Sequence, residues 1–176
     1  MTGAAKPSVS ALATEVVELL ARRGETLGWC ESLTAGLASA TVAEVPGASA
    51  VLRGAMVVYA VDLKESLAGV PGEVLAHHGP VAGPTVLSMA RGCARRLRVT
   101  WAVALTGVAG PEPHDGHPVG EVWLGYYGPG VRRVQRIDLT GGRAEIRQEA
   151  VWAALDGLLR EVRSDSIPQC DGEPEA

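Results

Sequence analysis

The sequence predicts an α/β domain, a mixed sheet covered by helices on both faces. Three observations carry this reading. Short apolar runs alternate with segments of helical apolar spacing through most of the chain, two alternating runs then follow one another across Gly128-Pro129-Gly130, and a helical segment closes the pattern. The chain has 176 residues and 47% hydrophobic content, which fits one compact domain with a sizeable core; two full domains would be cramped.

Each element has its own signal. From Val9 to Arg23, Leu12, Val16, Leu19 and Leu20 recur with Glu15, Glu18 and Arg22 between them, and Gly24 follows as a stop, which gives an amphipathic helix. Thr26 to Cys30 is a short buried strand, and Leu33, Leu37, Ala38, Ala40 and Thr41 repeat at helical spacing, so Glu31 to Gly36 is a strand-to-helix turn. Val45-Pro46-Gly47-Ala48 breaks the pattern, Gly54 to Tyr59 reads as a second buried strand, and a short helix is expected from Asp62 to Leu67. Pro71 to His78 is another short turn or helix. Pro84 to Leu97 is a helix with Val86, Leu87, Met89, Ala90, Cys93 and Leu97 inward, and Trp101 to Leu105 is a third buried strand. Gly110 to Pro118 is too rich in breakers for regular structure. Glu121–Tyr127 and Arg132–Leu139 pair as a hairpin, and Gly141-Gly142-Arg143 leads into a last helix with Ile146, Ala150, Val151, Ala154, Leu155, Leu158 and Leu159 on its apolar face. One domain is therefore expected over residues 1–163, followed by a disordered acidic tail over 164–176.

Composition excludes several classes. A formal net charge of −4 gives no footprint for nucleic acid, so none is expected as a partner. The 3 cysteines, at positions 30, 93 and 170, form no CxxC pair, which argues against a disulfide framework or a zinc knuckle and for a reducing cytoplasm. Met1 to Ser10 lacks the basic and apolar regions of a signal peptide, and no later segment reads as a membrane span. His77, His78, His114 and His117 fit no standard metal-ligand spacing, so no metal and no cofactor are expected. Trp123, Tyr126 and Tyr127 read as sheet packing. The apolar helix faces are explained equally by a core or by a homo-oligomer.

Three turns follow predicted strand ends: the Ser32 turn, Thr106-Gly107-Val108-Ala109-Gly110-Pro111, and Gly141-Gly142-Arg143. Ligands in open α/β sheets gather outside the carboxyl ends of strands, so the first two turns are expected to line one crevice. A hydroxyl at Ser32 would stand near unpaired N–H groups and the positive end of a helix, where an oxyanion or phosphate is stabilised, although Ser and Thr are also ordinary helix caps. Lys64 stands just beyond strand two in the first turn of a helix, where burial, the local dipole and nearby Arg143 or Arg147 would lower its pKa, and the alternative is a solvated lysine. Tyr59, at the end of the same strand, would either point its phenol into the crevice or pack. Arg143 and Arg147, one helical turn apart, suit an anionic group or face solvent.

Several ordered motifs together resemble the CinA C-terminal domain family, the nicotinamide-nucleotide amidases. They are Glu31-Ser32-Leu33-Thr34-Ala35-Gly36, Val45-Pro46-Gly47-Ala48-Ser49, Gly54 through Tyr59 with Lys64 and Leu67-Ala68-Gly69-Val70, Ala104 through Pro111, Pro118 through Trp123, and Gly142-Arg143 with Ile146-Arg147. The resemblance runs from about residue 9 to residue 162. It implies a three-layer α/β/α sandwich with a five-stranded mixed sheet that hydrolyses the carboxamide of nicotinamide mononucleotide, a small-molecule nucleotide, without metal. By position it implies Ser32 as nucleophile, Lys64 as general base and Tyr59 as a further catalytic residue. The N–H groups from Thr34 to Gly36 become the oxyanion donors, and Glu31, Thr34, Ala35, Gly36, Thr106, Gly107, Arg143 and Arg147 the substrate-binding set. Three positions depart from the family pattern: Ala35 replaces a glycine, and Ala60 and Val61 replace Ser and Asn. A rival reading is a nucleotide-binding module without turnover that acts through a partner in a competence or DNA-damage response.

Overall fold

A computed structural model describes residues 6–164. Its elements run α1 (Val9–Arg23), β1 (Leu27–Glu31), α2 (Leu37–Ala43), a 3-10 turn (Ala48–Ala50), β2 (Leu52–Val57), α3 (Val61–Ser66), α4 (Gly72–His78), α5 (Gly83–Leu97), β3 (Trp101–Gly107), β4 (Glu121–Gly128), β5 (Val131–Asp138) and α6 (Arg143–Ser164). The five strands form one sheet in the order β2-β1-β3-β4-β5, in which β1 is parallel to both β2 and β3, while β3-β4 and β4-β5 are antiparallel. This is the expected three-layer mixed architecture. Of the expected acidic tail, Ser164 ends α6, and residues 165–176, Cys170 among them, lie outside the described residues.

Side-chain alternation along the strands builds two cores, one on each face of the sheet. Leu27 and Trp29 of β1, Trp101, Val103 and Leu105 of β3, and Val122, Leu124 and Tyr126 of β4 face the layer that holds α1, α2 and α6. Cys30, Ala102 and Ala104 face the other layer, where Val86, Met89, Ala90 and Cys93 of α5 meet them. The second face is lined by small residues because α5 lies close against it. A Cβ at Gly125 of β4 would come within 2.7 Å of the Val86 carbonyl. The Cys30 and Cys93 thiols are buried and pushed up, Cys93 to about 12, so these two are protonated near neutral pH.

The second strand is the main departure from the sequence reading. It spans Leu52–Val57 rather than Gly54–Tyr59, and it is a half-exposed edge strand rather than a buried one. Leu52 pairs with Leu27 and Arg53 lies on an exposed position, so no continuous apolar run marks where pairing begins. The chain leaves the ladder after Val58, whose N–H still bonds the Glu31 carbonyl at 2.8 Å, and Tyr59 and Ala60 then lead into α3.

Helix caps differ between α1 and α3. Ser8 Oγ accepts from the Ala11 N–H at 3.1 Å to start α1, and Gly24 ends it in the left-handed conformation. Ala60 occupies the same position before α3 and offers no side-chain acceptor. Ala60→Ser is expected to stabilise the protein by about 1 kcal/mol, seen as a higher midpoint in chemical denaturation. An unchanged midpoint would show that packing alone holds α3. Among the described residues no helix is long and apolar enough to cross a membrane.

Candidate active site

The carboxyl ends of the three parallel strands point to one side of the molecule, and β2 and β3 flank β1 there. A cavity of about 320 Å³ opens at that end, walled by Ser32 and Leu33 after β1, Tyr59, Val61 and Lys64 after β2, Thr106 and Gly107 at the end of β3, the loop from Val108 to His114, and Arg143 of α6. The crossover from β1 to β2 runs through α2 on one face, and the return to β3 runs through α5 on the other. The cavity therefore sits where the direction of winding changes.

Ser32 and Lys64 meet at its floor. Lys64 Nζ lies 3.0 Å from Ser32 Oγ and donates to the Val58 carbonyl at 3.0 Å. Lys64 is 2% exposed, so its ammonium form loses most of its hydration, and burial holds its pKa below the usual 10.5. The Cys30 thiol would oppose this only as a thiolate, and burial keeps it protonated. Of the causes expected from sequence, burial drives the shift, while the helix dipole adds little, because Lys64 is the fourth residue of a six-residue helix and belongs equally to its last turn.

The turn after Ser32 differs from the strand-to-helix elbow expected from the spacing. Residues 32–36 form successive turns and α2 begins only at Leu37, because Ala35 (φ 51°) and Gly36 (φ 93°) are both left-handed. The positive end of α2 is occupied by the chain itself. Glu31 Oε2 accepts from the N–H groups of Gly36 (2.9 Å) and Ala38 (3.1 Å), and Oε1 accepts from Ser39 (2.9 Å). Glu31 is fully buried and off the cavity wall, so its carboxylate shapes the turn and is not presented to a ligand.

This corrects the expected donor set. The Ala35 N–H bonds the Ser32 carbonyl at 3.1 Å and the Gly36 N–H is taken by Glu31. The N–H groups of Leu33 and Thr34 make no hydrogen bond among the described residues. Thr34 Oγ1 is buried without a partner. Thr34, Ala35 and Gly36 do not line the cavity, and Ala35 is exposed, so the methyl it carries in place of the family's glycine does not crowd a ligand there.

The remaining expected residues divide in two. Tyr59, 54% exposed, lines the mouth, and its phenol accepts from Arg143 Nη2 at 2.7 Å, while Arg143 Nη1 donates to the Gly110 carbonyl at 2.5 Å. Thr106 is buried, its Oγ1 donating to the Pro80 carbonyl at 2.8 Å. Gly107 lets β4 pass, since a Cβ there would fall 2.4 Å from the Glu121 carbonyl. Arg147, in contrast, is away from the wall; its Nε donates to the Leu33 carbonyl (3.1 Å) and its Nη2 to the Thr34 carbonyl (2.7 Å). Of the four histidines only His114 reaches the cavity, and no group of three or more His, Cys, Asp or Glu with metal-binding spacing occurs among the described residues. Sequence reasoning missed Pro80 and Val81, which lie between two predicted helices, and the Val58 carbonyl, whose role as the anchor of Lys64 no side-chain pattern in the predicted strand could signal.

Residues 9–162 match the family model of the CinA C-terminal domain. A CinA-like protein of Frankia casuarinae is 40% identical over 163 residues, covering 90% of this chain and 38% of the relative. A putative competence-damage inducible protein of Streptococcus pneumoniae is 38% identical over 157 residues, covering 89% and 38%. The chain thus spans well under half the length of these curated relatives. Among solved structures, a competence-damaged protein (CinA) superfamily protein from Klebsiella pneumoniae superposes with a TM-score of 0.87 at 29% identity, covering 90% of this chain and 99% of the other. The competence/damage inducible protein CihA from Agrobacterium tumefaciens gives 0.81 at 34% identity, covering 86% and 94%.

Proposed function

The chain belongs to the CinA C-terminal domain family, and from that premise we propose that it is an amidohydrolase that converts nicotinamide mononucleotide to nicotinic acid mononucleotide and ammonia through a serine nucleophile and a lysine base. The observation that carries the reading is the Ser32–Lys64 contact of 3.0 Å at the floor of the cavity, with a lysine whose burial favours the neutral amine.

The chemistry follows from those groups. Ser32 Oγ attacks the carboxamide carbon while its proton passes to neutral Lys64 Nζ, which the Val58 carbonyl holds in place. The carbonyl oxygen becomes an oxyanion, and the unpaired N–H groups of Leu33 and Thr34 are its nearest backbone donors in sequence to Ser32. Collapse breaks the C–N bond, and the leaving amine takes the proton back from Lys64 and departs as ammonia. A water then gives a proton to Lys64 and attacks the acyl ester, releasing the carboxylate and restoring Ser32. Arg143 at the mouth supplies the positive charge for a phosphate, and Tyr59 holds that guanidinium.

The test is ammonia release from nicotinamide mononucleotide by the purified protein with a chelator present, and steady release is the expected result. Release that needs added metal would overturn the metal-independent mechanism. One observation favours the rival module reading: Val61, 44% exposed, puts an apolar side chain on the wall. Saturable nucleotide binding with no ammonia released would decide for that module.

A further inference from the structure

The peptides that follow Ser32 are gripped from behind by α6. A trans peptide carries its C=O and N–H on opposite edges, so fixing the carbonyls of Leu33 and Thr34 also fixes where the N–H groups of Thr34 and Ala35 point. Arg147 holds both carbonyls at once, Nε on Leu33 and Nη2 on Thr34. The Ala35 N–H closes back on the Ser32 carbonyl, which leaves the Thr34 N–H directed away from Arg147 and unpaired. From the other end, Glu31 takes the N–H groups of Gly36, Ala38 and Ser39. The turn is thus stretched between a cation on its carbonyls and an anion on its amides.

We infer that Arg147 is a positioning residue of the reaction: by holding the Leu33 and Thr34 carbonyls its guanidinium fixes the turn that begins at Leu33, a residue of the cavity wall, and so aims the unpaired N–H groups of that turn, Leu33 foremost, at the oxyanion formed at Ser32. The inference rests on the amidase reading and separates Arg147 from Arg143, its neighbour one helical turn away, which lines the cavity. A residue that gripped the substrate's anionic group would have its donors in the cavity, whereas both bonds of Arg147 go to main-chain carbonyls of the turn. The planar fork matters, because two neighbouring carbonyls need two fixed donors and lysine offers a single point charge. A cation against a carbonyl also polarises its peptide and strengthens the N–H on the far edge as a donor.

Two measurements on Arg147→Met and Arg147→Lys test this. The first is ammonia release from nicotinamide mononucleotide. Deleting an oxyanion donor outright costs about 10²–10³ in kcat, so a donor only misaligned should cost about tenfold to a hundredfold in the Met variant, with KM within about twofold and Lys intermediate. The second is the rate at which a fluorophosphonate labels Ser32: Oγ bonds to phosphorus, fluoride leaves, Lys64 takes the proton, and the phosphoryl oxygen occupies the oxyanion position. Labelling should fall by a similar factor. Unchanged kcat and unchanged labelling would overturn the inference, as would a raised KM with kcat kept, which would make Arg147 a substrate-binding cation. Wild-type protein that labels but releases no ammonia would overturn the amidase reading alone, and slower labelling of the variants would still support the role of Arg147 in aiming the donor. If the Met variant does not fold, the Lys variant carries the same readouts, and wild-type values in both would reject the role.

Discussion

Ser32→Ala is expected to keep the fold and lose at least about a hundredfold in turnover, as deletion of a nucleophile does. The expectation of an intact fold has a local basis. The Ser32 N–H bonds the Leu105 carbonyl at 2.9 Å through the backbone, which alanine preserves, and Lys64 Nζ keeps its bond to the Val58 carbonyl. Only the hydroxyl facing the amine is lost. Ammonia release near the wild-type rate, with nucleotide binding unchanged by calorimetry, would remove Ser32 from the mechanism and leave the cavity floor without a nucleophile.

The second large effect is at Lys64. Lys64→Arg retains a cation but one that does not give up its proton near neutral pH, so turnover should vanish while nucleotide binding by calorimetry is largely kept. Retained hydrolysis would exclude lysine as the base; loss of binding as well would recast Lys64 as a ligand-binding cation. The pH dependence follows from the direction of the shift. The folded protein holds this proton less tightly than the unfolded chain does, so between the depressed pKa and 10.5 the unfolded state binds more protons and the Lys64 contribution to stability rises with pH. Below the depressed pKa it is flat. Activity should rise through that same depressed pKa as the neutral amine appears, and Lys64→Met should flatten the stability slope over the window. An acid limb of kcat/KM near the ordinary lysine value would contradict a buried, neutral base.

What the sequence made legible was what periodicity and order encode. The bounds of α1 match the expected Val9 to Arg23, because a serine cap and a glycine stop flank a clean apolar stripe. The parallel strands, the late hairpin and the gathering of Ser32, Tyr59, Lys64, Thr106, Gly107 and Arg143 on one cavity follow from strand ends and motif order. What was hidden were long-range assignments of hydrogen bonds. Glu31 and Arg147 look like ligand groups when read along the chain, since nothing in local spacing reveals that one is consumed by the amides of α2 and the other by carbonyls 113 and 114 positions away. The edge character of β2 was likewise invisible, because an exposed edge strand and a buried one can share the same short β-rich run.

The distance in sequence between Arg147 and the Ser32 turn also fixes when the turn acquires its shape. Closing a contact across 114 residues is among the costlier loop closures in this fold, and it is made by α6, which follows every strand of the sheet in the chain. Strands β1 to β3 can bring Ser32, Lys64 and Thr106 together beforehand, but the carbonyls of Leu33 and Thr34 stay without their guanidinium until α6 docks. A chain cut before α6 therefore carries the serine and the lysine without the brace on the peptides that follow Ser32, and an organised turn marks a chain in which α6 has docked.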